Sequence, residues 1–470
     1  MTKKAYDIAV IGAGPGGYVA SIIAAQKGMS VVNIEEKATL GGTCLNVGCI
    51  PSKSLLHASE QYENNVCKSR NSDWGIDVKK IDLNIEKMMH KKTEIIGELT
   101  SGIDFLFKKN KISRIIGKAK IKKDNQIEIS LAKKIETLSA KKIIIATGSK
   151  PSVIKNIEID ENRILSSTGA LELKKVPKKM VIVGAGVIGL EMGTIWRRLG
   201  SEVEIIEFQS GILNGMDLEI TDKFKKILEK QGLKFRLNTS VINARVTGKS
   251  VDLELKKNDE KKTEVLKCNK VLVATGRIPN TESLGLKEIG IKLDKNGFIS
   301  VSEKFETSRK DIYAIGDVIN GPMLAHKAEE DARALIEMIN GESGHIDYNL
   351  VPNIIYTSPE VASIGLNEEQ IQDSEIDYNK GIFPFMANSR AKAIGHTDGF
   401  VKILSDKKTD RILGAHIIGH EAGTIIHELC FAMGFGASSE DVSRICHGHP
   451  TVNEAIKEAA LATYSNPIHS

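Results

Sequence analysis

Short, almost wholly apolar runs that end in glycine punctuate the first two thirds of the chain. Residues 5–11 (AYDIAVI) form one, the pattern of a parallel strand buried on both faces. Gly12, Gly14 and Gly17 follow, then apolar positions at helical spacing through Tyr18, Ile22, Ile23 and Ala25. A second strand, Val31 to Ile34, ends at Glu35. The same order recurs downstream. A strand from Met180 to Val183 leads into Gly184, Gly186 and Gly189, a helix, and a strand Val203 to Ile206 that ends at Glu207. These three glycines and the acid lie at one constant offset from Gly12, Gly14, Gly17 and Glu35, so the chain carries two copies of one unit. Each copy also closes on a strand ending in Ala-Thr-Gly, residues 142–148 (KIIIATG, to Gly148) and 271–276 (VLVATG, to Gly276).

Elsewhere the pattern is coarser. Apolar residues at helical spacing from Ile85 to Leu106 predict one long helix over 84–108, with its methionines packed in a core. Residues 112–140 alternate like a small β-meander, with Gly117 at a turn, and 150–178, with Pro151 and Pro177, join the two units. Residues 312–317 (IYAIGD) read as a strand ending in Asp317, followed by a helix from about His326 to Asn340 and a linker over 341–349. Beyond Val351, strands at 400–404 and 412–418 precede helices near 421–433 and 453–463, a separate α+β domain. The predicted class is α/β: two Rossmann-like dinucleotide-binding domains plus a C-terminal α+β domain.

Composition narrows the function classes. A chain of 470 residues with 41% hydrophobic positions is too long for one core. The net charge of +5 is thinly spread, and the lysine runs at 108–111 and 122–134 alternate with apolar residues as solvated faces do, which excludes a nucleic-acid surface. The N-terminal MTKKAYDIAVIG leads straight into a strand, and no apolar run reaches the ~18 residues of a membrane span. The expectation is a soluble cytoplasmic protein, with a processed organellar form left open. Six cysteines, at 44, 49, 67, 268, 430 and 446, do not make a disulfide scaffold and point to a reducing compartment.

The candidate chemistry sits on these landmarks. Each glycine turn lets a pyrophosphate approach a helix N-terminus, and Glu35 and Glu207 can accept ribose hydroxyls. Glu207 would repel the 2′-phosphate of NADP. Residues 41–53 read GGTCLNVGCIPSK. A five-residue step along a straight helix rises ~7.5 Å, beyond the ~7 Å reach of a disulfide. If Cys44 and Cys49 pair, the backbone between them is irregular, and Gly48 and Pro51 would permit that. A close pair of this kind is easily reduced and suits redox chemistry. From the cysteines alone, a passive bridge or two free thiols stay open. The run Cys446, His447, Gly448, His449 has metal-ligand residue types, but neighbouring positions seldom converge on one ion, and no metal is expected.

Together, GGTCLNVGCIPSK, the duplicated glycine motifs, AIGDV at 314–318 and HGHPTVNE at 447–454 resemble the flavin-dependent disulfide reductases, over residues 5 to about 465. The resemblance implies an FAD-binding domain with a redox disulfide (1–149), an NAD-binding domain (150–276), a central domain completing the FAD site (277–347) and a C-terminal dimerisation domain (348–470). FAD would be held by Gly12, Gly14, Gly17, Glu35, Lys53, Gly117 and Gly148, with Asp317 on the ribityl chain and Met323, Leu324, Ala325 and His326 near the isoalloxazine. NAD would be held by Gly184, Gly186, Gly189, Glu207 and Gly276, and Glu191 would pair with Lys53. Cys44 would meet the substrate, while Cys49 and Lys53 would face the flavin. His449, oriented by Glu454, would be the acid–base residue and reach the neighbouring subunit of a homodimer, with a cis His449–Pro450 bond. Gly448 departs from the usual alanine.

The implied reaction is oxidation of protein-bound dihydrolipoamide by NAD⁺. The implied partner is a lipoylated acyltransferase or a glycine-cleavage carrier protein. Rivals fit less well. A glutathione reductase would carry basic residues near Glu207, and mercuric or large thioredoxin reductases carry C-terminal cysteines that ATYSNPIHS lacks. A non-catalytic nucleotide-binding scaffold would not need Cys44, Cys49, Lys53, His449 and Glu454 together.

Overall fold

The computed structural model describes residues 5–66, 74–76 and 81–470. It divides into two compact units: residues 1–54, 86–152 and 276–348, and residues 55–85, 153–275 and 349–470.

In the first unit, strand β1 (Ala5–Ile11), helix α1 (Pro15–Gln26) and strand β2 (Val31–Glu35) form the chain's first βαβ repeat, with β1 and β2 parallel, and helices α2 (Gly42–Val47) and α3 (Cys49–Val66) come next. After helix α4 (Ile85–Lys109), strands β3 (Ser113–Ile116), β4 (Lys118–Ile121), β5 (Gln126–Ser130) and β6 (Ile135–Ile145) complete a sheet of order β3-β2-β1-β6-β5-β4 among the described residues. β3, β2, β1 and β6 run parallel, with Ile8 opposite both Val31 and Lys142. Ile8, Ala9 and Val10 are fully buried; a buried Ile or Val is worth about 1.5–3 kcal/mol, which explains the unbroken apolar run. The meander expected over 112–140 holds for β4, β5 and β6 only. β3 pairs parallel with β2, because a strand reached through a long helical crossover can return parallel.

The second unit repeats the device with strand β7 (Lys179–Val183), helix α5 (Val187–Arg198), strand β8 (Glu202–Ile206), helix α6 (Leu218–Lys230) and strand β9 (Lys270–Val273). These strands are parallel, β8-β7-β9, with Lys234–Arg236 and Ile164–Leu165 at the edges. The connecting stretch 150–178 therefore supplies a sheet edge. Strand β10 (Ile312–Ala314) and helix α7 (Ala325–Ile339) belong to the first unit, where β10 pairs parallel with β6. The C-terminal part of the second unit is an antiparallel sheet of Asn353–Ile355 and strands β11 (Glu360–Gly365), β12 (Tyr378–Pro384), β13 (Phe400–Asp406) and β14 (Ile412–Gly419). Helices α8 (Ala422–Gly434) and α9 (Glu454–Leu461) pack on it around Ile364, Phe383, Ile403, Ile426 and Ile456. Among the described residues no helix is long and apolar enough to cross a membrane.

Candidate active site

Both glycine turns lie at the carboxyl ends of parallel strands, where ligands bind in open α/β sheets. The first glycine of each is in the left-handed region, Gly12 at φ 104° and Gly184 at φ 108°. A Cβ at Gly17 would lie 2.1 Å from the Gly12 carbonyl oxygen, and one at Gly189 would lie 2.1 Å from that of Gly184. The middle glycine stays open: a Cβ on Gly186 would meet nothing within 4 Å, and one on Gly14 only the Gly42 Cα at 3.9 Å. No side chain caps the helix behind either turn, so its first amides point at the space above.

The acids match as well. Glu35 accepts from the Ala13 amide at 2.8 Å and the Lys37 amide at 2.9 Å; Glu207 accepts from Ala185 at 2.7 Å and Gln209 at 2.8 Å. Open middle glycine, uncapped helix and anchored carboxylate fit two dinucleotides. Gly117 donates its amide to the Glu35 carbonyl at the edge of the first site. Gly148 (φ 67°) and Gly276 (φ 108°) leave their turns unobstructed.

Cys44 and Cys49 form a disulfide, with Cα atoms 4.6 Å apart. The helix breaks between α2 and α3 at Gly48 (φ −139°, ψ −107°), where a Cβ would lie 2.9 Å from the Thr43 carbonyl oxygen. Of the two residues expected to permit pairing, Gly48 makes the break. Pro51 sits in the first turn of α3, where an amide hydrogen would have no helical partner. The glycines ahead of Cys44 join this segment to the first turn: Gly41 donates to the Ala13 carbonyl at 2.8 Å, and a Cβ on Gly42 would collide with Gly14. Lys53 lies one helical turn past Cys49, half-buried.

Asp317, in the short 3-10 turn after β10, accepts from Ser149 at 2.5 Å, and Arg277 donates to the same hydroxyl at 2.7 Å. Behind this turn, Asp331 and Lys327 of α7 form a fully buried pair at 2.8 Å. Asp331 also accepts from the Gly316 amide and the Tyr348 hydroxyl. Met323, Leu324, Ala325 and His326 lie at the start of α7, which no side chain caps. Ser149, Arg277, Lys327, Asp331 and Tyr348 escaped the sequence reading. Only the proximity of Arg277 and Ser149 to the Ala-Thr-Gly strands could have signalled any of them.

In the second unit, Glu191 is buried on α5 and accepts from the Tyr356 amide at 3.1 Å. The His449–Pro450 bond is cis, as expected. His449 is 68% exposed and its Nδ1 lies 2.9 Å from Glu454 Oε1. The other Glu454 oxygen accepts from the Thr451 amide at 2.9 Å. Burial pushes the Glu454 carboxyl up, but the Thr451 amide and the imidazole outweigh it and hold the group below the usual carboxylate range. A carboxylate on Nδ1–H makes Nε2 the proton acceptor of an accessible imidazole.

Two of the other described thiols, Cys268 and Cys430, are poorly suited to attack. Burial pushes Cys268 up to about 12 and Cys430 up to about 11, and Cys67 lies outside the described residues. Among the described residues no three His, Cys, Asp or Glu side chains could share a metal ion.

A family profile described as pyridine nucleotide-disulphide oxidoreductase matches residues 6–332, and one for that family's dimerisation domain matches residues 351–460. A mitochondrial dihydrolipoyl dehydrogenase of Pisum sativum is 49% identical over 464 residues, covering 98% of this chain and 92% of the relative. A leghemoglobin reductase of Glycine max is 49% identical over 462 residues, covering 98% and 88%. A HOCl-induced flavoprotein disulfide reductase of Escherichia coli, solved as its Cu(II) complex, superposes with a TM-score of 0.87 at 27% identity over 97% of this chain and 99% of that one. With two dinucleotide turns, a disulfide tied to the first and a C-terminal dimerisation domain, the chain belongs to the pyridine nucleotide-disulphide oxidoreductases.

Proposed function

We propose that the chain is a dihydrolipoyl dehydrogenase, a homodimer that oxidises protein-bound dihydrolipoamide with NAD⁺. The observation that carries this reading is the Cys44–Cys49 disulfide joined through Gly41 and Gly42 to the first dinucleotide turn. Gly12, Gly14, Gly17, Glu35, Lys53, Gly117, Gly148, Asp317 and residues 323–326 hold FAD, within domain 1–149 and the completing domain 277–347. Gly184, Gly186, Gly189, Glu207 and Gly276 hold NAD, in domain 150–276. FAD held at the first turn would supply the two-electron relay between the reduced Cys44–Cys49 pair and NAD⁺.

The chain's own residues do the thiol chemistry. His449 of one subunit, held by Glu454, takes the proton of the first substrate thiol. The thiolate attacks Cys44, the Cys44–Cys49 bond breaks, and Cys49 leaves as a thiolate facing Lys53. His449 then passes that proton to the departing Cys44 as the second substrate thiol, giving its own proton to the imidazole, attacks its partner sulfur; Cys44 leaves as a thiol, Cys49 remains a thiolate, and the second proton rests on His449. Substrate dithiol has become disulfide, and the protein disulfide has become dithiol. A haem protein such as leghemoglobin would need electrons but no thiol base, so the exposed His449–Glu454 pair favours the dithiol.

Exposed Phe431 and Phe435 on and just past α8, rings 4.8 Å apart, support burial against a second subunit through domain 348–470. The partners are a lipoylated acyltransferase or a glycine-cleavage carrier protein, in the cytoplasm or, for a processed form, an organelle. The test is to mix the purified protein with dihydrolipoamide and either NAD⁺ or NADP⁺ and follow reduced nucleotide by absorbance. Turnover with NAD⁺ that vanishes in Cys49→Ser is expected. No turnover, or a preference for NADP⁺, would overturn the reading.

A further inference from the structure

The run Cys446 to His449 has a second histidine, and the fold treats it differently from the first. His447 has only 6% of its side chain exposed. Its Nε2 lies 2.7 Å from Glu428 Oε1, and its Nδ1 lies 3.0 Å from the Ile445 carbonyl oxygen. Both partners can only accept, so a ring that makes both bonds donates from both nitrogens and is an imidazolium. The other Glu428 oxygen accepts from Asn453 Nδ2 at 2.7 Å. One carboxylate on α8 thus grips the chain on both sides of His449–Pro450. Between those two feet, Thr451 donates its hydroxyl to the Gly448 carbonyl at 2.8 Å and its amide to Glu454. His449 itself is too exposed for packing to fix its place.

We infer that Glu428 and His447 are positioning residues for His449: Glu454 orients the imidazole, and the Glu428–His447 pair locates the loop that carries it. The inference rests on His449 being the acid–base residue proposed above. Electrostatics agree, since the Glu428 hydrogen bond raises the His447 titration above its usual range against burial and against Lys457 of α9. The sequence conceals this role, because Glu428 lies on another helix and has the look of an ordinary surface glutamate.

The test compares Glu428→Gln, His447→Gln and His449→Gln in the flavin-loaded dimer, using two reactions. One is dihydrolipoamide with NAD⁺. The other is NADH with ferricyanide, in which two ferricyanides take one electron each and no thiol is deprotonated. Misplacing a reacting group by about 1 Å costs roughly 100-fold, so kcat with dihydrolipoamide should fall about 10- to 100-fold in Glu428→Gln and His447→Gln. The KM for NAD⁺ and the ferricyanide rate should not move. ¹⁵N-histidine spectra should show both His447 nitrogens protonated in the wild type and one proton lost in Glu428→Gln. Wild-type kcat in both variants beside an inactive His449→Gln would overturn the inference and leave the base assignment standing. An equal loss of the ferricyanide rate would reduce the pair to a general brace and overturn it too. A fully active His449→Gln would remove the base assignment, and this inference with it.

Discussion

Replacing Lys402 by Met should destabilise the second unit severely, and the defect should ease in acid. Lys402, on β13, is fully buried, with its ammonium 2.9 Å from Asp217, 3.1 Å from Glu219 and 2.5 Å from Glu368. Asp217 is equally buried and caps α6 through the Ile220 amide. Across the strand pair from Lys402 stands His416, buried and bonded to the Leu366 carbonyl. Methionine matches the lysine stem but leaves the carboxylates without their shared cation. Removing one partner of a buried ion pair costs about 3–5 kcal/mol, or about 6–20 °C in the melting temperature of a unit of this size.

The pH dependence follows from the same contacts. Burial works against ionised Glu368, but Lys402, Tyr378 and Lys380 hold it down to about 2 from its ordinary 4.5. Its contribution is therefore complete above pH 4.5 and lost as the pH falls toward 2. Without Lys402, burial dominates, Glu368 and Asp217 titrate above the ordinary range, and protonation relieves the unpaired charge. Burial keeps His416 below its usual range, with the Lys402 charge adding to that and Asp217 opposing it; without Lys402 the imidazole takes up its proton more readily beside the unpaired Asp217, so its titration below about pH 6.5 further narrows the deficit of the variant in acid. Urea unfolding of the flavin-loaded protein, followed by circular dichroism at about pH 8 and pH 5.5, measures both effects. A deficit below about 1 kcal/mol at pH 8, or one that grows in acid, would refute the reasoning.

Three further outcomes are expected. In enzyme reduced with dihydrolipoamide, iodoacetamide should label Cys44 before Cys49, because only Cys44 is proposed to face the substrate; peptide mass analysis reads the order, and preferential labelling of Cys49 would reverse the assignment. Gly17→Ala, whose new methyl would lie 2.1 Å from the Gly12 carbonyl oxygen, should lose flavin, measured as the ratio of visible to protein absorbance, and a full complement of FAD would count against the first glycine turn as its seat. Glu207→Ala should raise KM for NAD⁺ about 10- to 100-fold, the value of one charge-assisted hydrogen bond at ~1.5–3 kcal/mol, and should narrow discrimination against NADP⁺; initial rates with the two nucleotides decide it.

What could be read from the sequence was whatever one residue imposes on its own neighbourhood. Gly12 and Gly184 need positive φ, and Gly17 and Gly189 need the absence of a Cβ, so each leaves its mark in place, and the constant offset doubled the signal. The broken helix at Gly48 was legible for the same reason, since a five-residue disulfide on regular helix does not close. The parallel pairing of β3 was not, because alternation marks a strand without naming its neighbour. Nor were the buried pairs Lys327–Asp331 and Lys402–Asp217, with Tyr348 and Glu368 beside them, or the half-buried Glu428–His447–Asn453 group.

In those groups lysine, aspartate and glutamate are residues that normally mark the surface, and the folded chain inverts that rule where a partner pairs the charge, either one turn along the same helix, as Lys327–Asp331, or from a distant segment, as Lys402–Asp217. The division follows the chemistry. Groups proposed to handle a cofactor or substrate lie on short local motifs, where the backbone itself fixes geometry. Groups that hold those motifs still are recruited from afar: Asp331 behind the turn that carries Asp317, and Glu428 beneath the loop that carries His449. Substitutions in the first class should therefore abolish a step. Those in the second should change how well it is aimed, which is why they are separated by comparing reactions that need the base with reactions that do not.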